Sequence, residues 1–320
     1  DSYQDGITFL GSLDGNFSAA FDRGGNEIWN TQDNNIIMYN TNLKGELYGC
    51  YYNSQIENTY PGIELDVNSN YIWEEPNDEF VHHDLLRLPD GNYLGIAESI
   101  QSLPVPETGP WYGACIGMFG AEMCNGDNFP WVGDKLIIWD KETKDTIWEW
   151  DTFDYYNTVD YDGVYYSDGI YGGSWDLAFN LNRYDWTHAN AFWPTFDNDG
   201  NIEYIYLSSR HLSRITKIDA SSGDVIWNIG LPAEFMASGD EHICTDLLFS
   251  WQHHIQLLED GDLLFFDNGN LSDILLDDQN PITRIRRIRV IDNSYCETIW
   301  QHDLPGNLFG SAMGSVQLLD

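Results

Sequence analysis

Cations are scarce in this sequence: 14 Lys and Arg stand against 52 Asp and Glu, a formal net charge of -38 over 320 residues. That balance excludes nucleic acid and anionic membranes as partners, because both require clustered positive charge. It suits solubility in a salty or extracellular setting, with an acidic surface that holds divalent cations as the functional alternative. Long apolar runs are missing as well. No stretch of about 18 apolar residues occurs, so membrane insertion is not expected. Cysteine is sparse, with Cys50, Cys115, Cys124, Cys244 and Cys296, and the odd count leaves at least one unpaired within a monomer. Cys115 and Cys124 close a short Gly-rich loop, GACIGMFGAEMC, and are placed to form a disulfide. Without a CxxC pair a structural zinc site is not expected. The chain opens at Asp1 with neither Met nor a signal h-region, which suits a mature secreted or extracellular segment, or a fragment.

Aromatics, by contrast, reach 15% with 13 Trp and 19 Tyr, and Asn, Asp and Gly are abundant. Many short strands joined by tight turns have this composition. One signature recurs: an apolar residue and Asp, a turn, then an apolar residue and Trp. It reads FDRGGNEIW, LDVNSNYIW, WDKETKDTIW, IDASSGDVIW and IDNSYCETIW, ending at Trp29, Trp73, Trp148, Trp227 and Trp300. Each copy is a strand, a polar turn and a strand. Spacings of 44 to 79 residues fit propeller blades with variable loops rather than a uniform solenoid. The expected fold is therefore an all-β propeller, one domain over residues 1–320, with five blade signatures visible. GSVQLLD at the C-terminus matches HIQLLED, so pairing of the N- and C-terminal strands is expected to close the ring. Residues 100–134 and 150–187 lack the repeat and read as long rim loops, with no helix anywhere in the chain.

A second signature carries histidine. It reads HHDLLRLPDGNYL from His82, HANAFWPTFDNDGNIEYI from His188 and QHHIQLLEDGDLLFF from Gln252. Aligned on Asp-Gly, His83 falls over His253, each seven residues before Asp90 or Asp260, whereas His188 stands eleven before Asp199. A single histidine is commonly a packing residue; three at one repeat position point to a shared site. Side chains alternate along a strand, so only one of each HH pair faces that site. YIYLSSRHLSRITKID adds Ser208, Ser209, Arg210 and His211 at a strand end. An arginine beside histidines in so acidic a protein makes a local positive spot suited to the oxygens of an anionic substrate; a salt bridge to a carboxylate is its structural alternative.

HHDLLRLPDGN, DWTHANAF, SSRHLSRITKID and QHHIQLLEDGDLLFFDNGN resemble, in order, the motifs of bacterial arylsulfate sulfotransferases. The resemblance covers about residues 7–100 and 185–320. It implies a six-bladed propeller that moves a sulfuryl group from an aryl sulfate to a phenol without a nucleotide donor, and the sequence has no phosphate-binding Gly-rich loop. Carried over by motif, His253 is the nucleophile that becomes a transient sulfohistidine, and His83, His188 and Arg210 surround the sulfuryl oxygens. Ser209, His211 and Asn268 are the implied substrate contacts. Neither cofactor nor metal is implied, and the partners are the small-molecule aryl sulfate and phenol. No counterpart of the family's separate N-terminal domain is seen, and residues 150–187 have no clear match.

Two rivals come from other classes. A Tyr-rich acidic surface with an unpaired cysteine suits self-association, as in an extracellular structural or adhesive propeller that keeps the ring without turnover. Three imidazoles also suit a zinc or copper site. Elsewhere, DNDGNIE is half a calcium loop that reads better as a β-turn. RIRRIRV reads as a strand laddered against acidic neighbours, and Asn16 and Asn270 head glycosylation triplets.

Overall fold

The computed structural model describes residues 6–12, 15–32, 34–42, 44–56, 58–76, 79–107, 112–126, 129–160, 184–233, 238–277 and 280–318. Among the described residues five sheets, antiparallel along their main path, follow one another, and the fold is an all-β propeller in which five blades are found. The first holds β1 (Thr8–Ser12), β2 (Phe17–Phe21) and β3 (Glu27–Asn30). The second holds β4 (Ile36–Thr41), β5 (Leu47–Tyr51), β6 (Gly62–Leu65) and β7 (Tyr71–Glu74). The third holds β8 (Val81–Arg87), β9 (Tyr93–Leu103), β10 (Phe129–Trp139) and β11 (Thr146–Asp151), with β12 (Tyr184–Asp185) parallel to β10. The fourth runs through β13 (Ala189–Phe196), β14 (Ile202–Ser209), β15 (Arg214–Asp219) and β16 (Val225–Ile229). The fifth comprises β17 (His253–Leu257), β18 (Leu263–Asp267), β19 (Arg284–Ile291) and β20 (Tyr295–Asp303). By contacts the chain divides into two compact units, one of residues 1–98, 135–150 and 319–320, the other of 99–134 and 151–318.

The Trp signature is the last hairpin of each sheet, and its parts have separate duties. The Asp oxygen closes the turn: Asp22 accepts the Asn26 N–H at 2.8 Å, Asp66 that of Asn70 at 2.9 Å, and Asp219 that of Ser221 at 2.9 Å. The side chains of Asn26, Asn70 and Ser221 bond the same carboxylates, and with the backbone bonds they hold the three carboxyls below the ordinary carboxylate range. Three of the tryptophans then pack toward the following sheet. The Trp29 indole donates to Val67 O at 3.1 Å and the Trp227 indole to Asn293 Oδ1 at 3.0 Å, both in the next sheet's last turn. Trp73 stacks on Tyr93 with ring centroids 4.0 Å apart and leans on Trp139. Buried cores thus form between successive sheets: Ile36, Leu47, Ile63 and Leu65 in the first unit, and Ile215, Trp227, Ile255, Phe265 and Ile288 in the second.

Strand β19 explains the cationic run. Arg284 and Arg286 turn inward to buried Asp267, at 2.8 and 2.9 Å, while Arg287 and Arg289 pair with Asp262 at 2.7 and 2.5 Å. The ladder of cations against carboxylates is the one read from the sequence.

Residues 100–134 differ from the helix-free loop expected there. Helices α1 (Tyr112–Phe119) and α2 (Ala121–Asn125) form, stapled by the Cys115–Cys124 disulfide. Glycines at positions 113, 117 and 120 interrupt the apolar periodicity, so the helical signal is weak in sequence. A second disulfide, Cys244–Cys296, ties the segment after β16 to β20, and Cys50 is buried and free. Most of the expected rim loop at 150–187 lies outside the described residues; α3 (Thr152–Tyr155) opens it. Residues 312–318 form no strand, and their Leu318 N–H donates to Gln256 Oε1 at 3.0 Å.

Candidate active site

The histidine signature opens the first strand of a sheet, and at each copy the ladder slips. Register shifts fall between Val81 and Leu85 in β8, between Ala189 and Ala191 in β13, and between His253 and Ile255 in β17. His83, His188 and His254 sit at or beside these slips with φ of 60°, 48° and 53°. A bulge with a left-handed residue breaks the alternation of side chains and re-aims the one next to it. Three such bulges at three histidines mark a built feature.

In the first unit, His82 and His83 meet through their Nδ1 atoms at 2.7 Å. Asn40 donates to Asp84 Oδ1 at 3.4 Å beside them.

The second unit gathers His188, Arg210, His211, His253 and Asn268. His253 is buried, at 6% exposure, at the head of β17. Its Nδ1 lies 2.7 Å from Asn268 Oδ1 and 3.2 Å from Trp251 O, and Met313 N–H points at its Nε2 from 3.3 Å. Burial drives its pKa down to about 4, with repulsion from Arg210 and His188 adding to that, so the ring is neutral at physiological pH. Arg210, just past β14, lies over the Trp251 ring at 4.0 Å. It reaches His211 Nε2 with Nη1 at 2.6 Å and donates to Ser311 O from Nη2 at 3.3 Å. The indole, the imidazole and the carbonyl hold the guanidinium in place.

His211 is chiefly a support for that arginine. Its Nδ1 meets Asp185 O at 2.8 Å, so Nδ1 carries the proton and Nε2 accepts from Arg210. Burial lowers its pKa to about 3. His188 contacts the Asp185 carboxylate through Nδ1, and its ring lies 4.6 Å from that of His211. Ser209 is fully buried and its carbonyl accepts from Gln252 Nε2 at 3.3 Å. Asn268 is fully buried behind His253.

Asp185, His188 and His211 bring ligand-type atoms within 4.8 Å of one another, the grouping among the described residues that could hold a metal ion. The donor set argues against it. A cation on His211 Nε2 would stand against a permanently charged guanidinium 2.6 Å away. His211 Nδ1 is spent on a backbone carbonyl. The arrangement is a hydrogen-bonded relay behind Arg210.

Asp185, Trp251 and the backbone of residues 310–313 were not singled out from the sequence. Asp185 stands three residues before His188 and Trp251 two before His253, a local signal visible once the histidines are known. Residues 310–313 carry no such signal.

A family model described as arylsulfotransferase (ASST) matches residues 118–319. That stretch includes His188, Arg210, His253 and Asn268 and excludes His83. No curated protein matches the chain. Among solved structures, a protein of unknown function from Bacteroides caccae is similar at 10% identity and a TM-score of 0.45, over 95% of this chain and 74% of that one. The Myceliophteria thermophila Cps50 (Swd1) β-propeller domain is similar at 9% identity and a TM-score of 0.36, over 94% and 72%. Likeness at this level carries nothing about chemistry.

Proposed function

The chain belongs to the arylsulfotransferase family, and from that premise we propose that it moves a sulfuryl group from an aryl sulfate to a phenol through His253. The observation that carries the reading is a neutral, buried imidazole whose Nδ1 is engaged by Asn268, in the same unit as an arginine stacked on Trp251 and bonded to His211. In the first half-reaction Nε2 of His253 attacks sulfur; an N–S bond forms as the bond from sulfur to the aryl oxygen breaks. The oxygen leaves with the electron pair and takes up a proton. In the second, the acceptor oxygen attacks the same sulfur, the N–S bond breaks, and its electrons return to Nε2 while the phenol proton is released. Splitting the transfer in two avoids bringing both phenols to sulfur at once. Arg210 faces the sulfuryl oxygens as charge builds on them, with His188 and His83 completing the donor set by motif.

The family resemblance implies a six-bladed ring; five of its blades are the five sheets described above. Two disulfides support an oxidising, extracytoplasmic setting. The test is incubation with 4-nitrophenyl sulfate, with and without a phenol. Acceptor-dependent nitrophenol release, absent in His253→Ala, is the expected result. A folded protein that releases nothing from several donors would sink the enzyme reading and leave an extracellular structural propeller.

A further inference from the structure

Three backbone groups that surround His253 and Asn268 come from one short segment, residues 310–313, far along the chain from either side chain. Asn268 Nδ2 donates to Gly310 O at 2.7 Å and to Met313 O at 2.8 Å. Asn270 Nδ2 donates to Ser311 O at 2.8 Å, and Gly310 N donates to Thr283 Oγ1 at 2.9 Å. The segment is thus fastened at four points. Gly314 follows at φ 124°, where a Cβ would fall 2.5 Å from Phe266 Cε1, so only glycine lets the chain lie this close to β18.

These bonds leave the Asn268 amide no choice of orientation. Its two N–H groups are taken by two carbonyl oxygens, and a flipped amide would set oxygen against oxygen at both. Oδ1 therefore faces His253 as an acceptor, 2.7 Å from Nδ1. Trp251 O, also an acceptor, stands at 3.2 Å from the same nitrogen. At the other end of the ring the Met313 N–H can only donate, and it meets Nε2. Acceptors at Nδ1 and a donor at Nε2 both require the tautomer with its proton on Nδ1 and its lone pair on Nε2.

We propose that Asn268 is a positioning residue and that residues 310–313 set it, so that this segment fixes the tautomer of His253 and presents Nε2 as the attacking atom. The inference deepens the sulfuryl-transfer reading and rests on it for its consequence, though not for its geometry. A histidine in water favours the opposite tautomer, so without the lock most molecules would present a protonated, non-nucleophilic Nε2. The bond from Met313, longer than the others, is the one an incoming sulfur must displace.

The experiment is two-bond proton–nitrogen correlation spectroscopy of the folded chain labelled with ¹⁵N-histidine, at neutral pH and well above the pKa of about 4 that burial gives His253. His253 should show a protonated Nδ1 and a bare Nε2. Asn268→Ala should shift the ring toward the Nε2–H form and lower kcat about 10- to 100-fold with KM little changed, the usual range for a group behind a reacting one. Gly314→Val, which leaves Asn268 intact but pushes the segment off Phe266, should shift the ring the same way. A wild-type ring protonated on Nε2 overturns the proposal, and so does an Asn268→Ala ring that keeps its tautomer; an unmoved ring in Gly314→Val overturns the part given to the segment. The tautomer is read without turnover. If it is as expected while no aryl sulfate is consumed, the sulfotransferase reading fails and the relay stands.

Discussion

The β8 and β17 copies of the histidine signature can be laid on each other rung by rung. Arg87 pairs with Tyr93 and Leu257 with Leu263 next to the same kind of turn. Counted from those rungs, His83 matches His253, Val81 matches Trp251, and Glu98 matches Asn268. The backbones agree, each with a slip at the histidines. The surroundings do not. In β17 the ring finds an amide oxygen, which can only accept, and Arg210 rests on the indole of Trp251. In β8 an aliphatic side chain and a carboxylate stand at those places, and the two histidines bond to each other. An Nδ1-to-Nδ1 bond needs one donor and one acceptor, so one of His82 and His83 carries a proton on Nδ1 and the other does not. The repeat decides where an imidazole stands; the residues matched to Val81 and Glu98 decide what it can do.

The sharpest way to break that comparison is by activity. His253→Ala should abolish transfer, a loss of at least about 10³-fold, as expected when the nucleophile of a covalent mechanism is removed. His83→Ala should cost about 10²-fold, as for one donor to a developing charge. Steady-state rates with 4-nitrophenyl sulfate and a phenol decide it. Equal losses would mean that the two copies are not specialised as their surroundings indicate.

Much of this contrast was legible in sequence, and its limits have a physical cause. Trp29, Trp73 and Trp227 announce their hairpins because each copy needs an Asp to close the turn and an indole to cover the next sheet. His83 and His253 stand out because the Asp-Gly turn counts register for them, and His188 because it opens the corresponding strand of another copy. What stayed hidden depends on contacts between distant segments. That residues 310–313 bond the Asn268 amide, a pairing 42 to 45 residues away in sequence, shows only in the fold. Arg210 offers carboxylates on all sides in a chain of charge -38, and only the fold shows it on His211 and Trp251. Helices α1 and α2 escaped notice because glycine dilutes their pattern.

A smaller effect separates the two disulfides of the second unit. Cys244–Cys296 spans 52 residues and Cys115–Cys124 spans 9. Chain entropy in the unfolded state favours the longer loop, so Cys244→Ser with Cys296→Ser should lose about 2–4 kcal/mol. Cys115→Ser with Cys124→Ser should lose less. Urea unfolding followed by exchange, in peptides of β16 and β20 for the long loop and of α1 and α2 for the short one, measures each; a larger loss from the short loop would contradict the ordering.

The least dramatic difference between the units is their answer to acid. His211, His242, His253 and His254 all lie in the second unit, and burial lowers their pKa values to about 3, 3, 4 and 4. An unfolded histidine titrates near about 6.5. Between those values the unfolded chain binds more protons than the folded one, so stability falls as pH falls. The contribution is complete above about 6.5 and drains away toward about 4 and below. In the first unit the shifted acids act in the same direction but over a lower pH window. Asp22, Asp66 and Asp140 are held low by hydrogen bonds in their turns, so their contribution persists down to about 3.9, where unfolded carboxyls begin to protonate. Acid should therefore loosen β13–β18 first. Hydrogen exchange at about pH 5, corrected for intrinsic rates, should show protection lost there while β4–β7 keep theirs. Loss in β4–β7 first would show that buried neutral histidines do not govern the acid response of this fold.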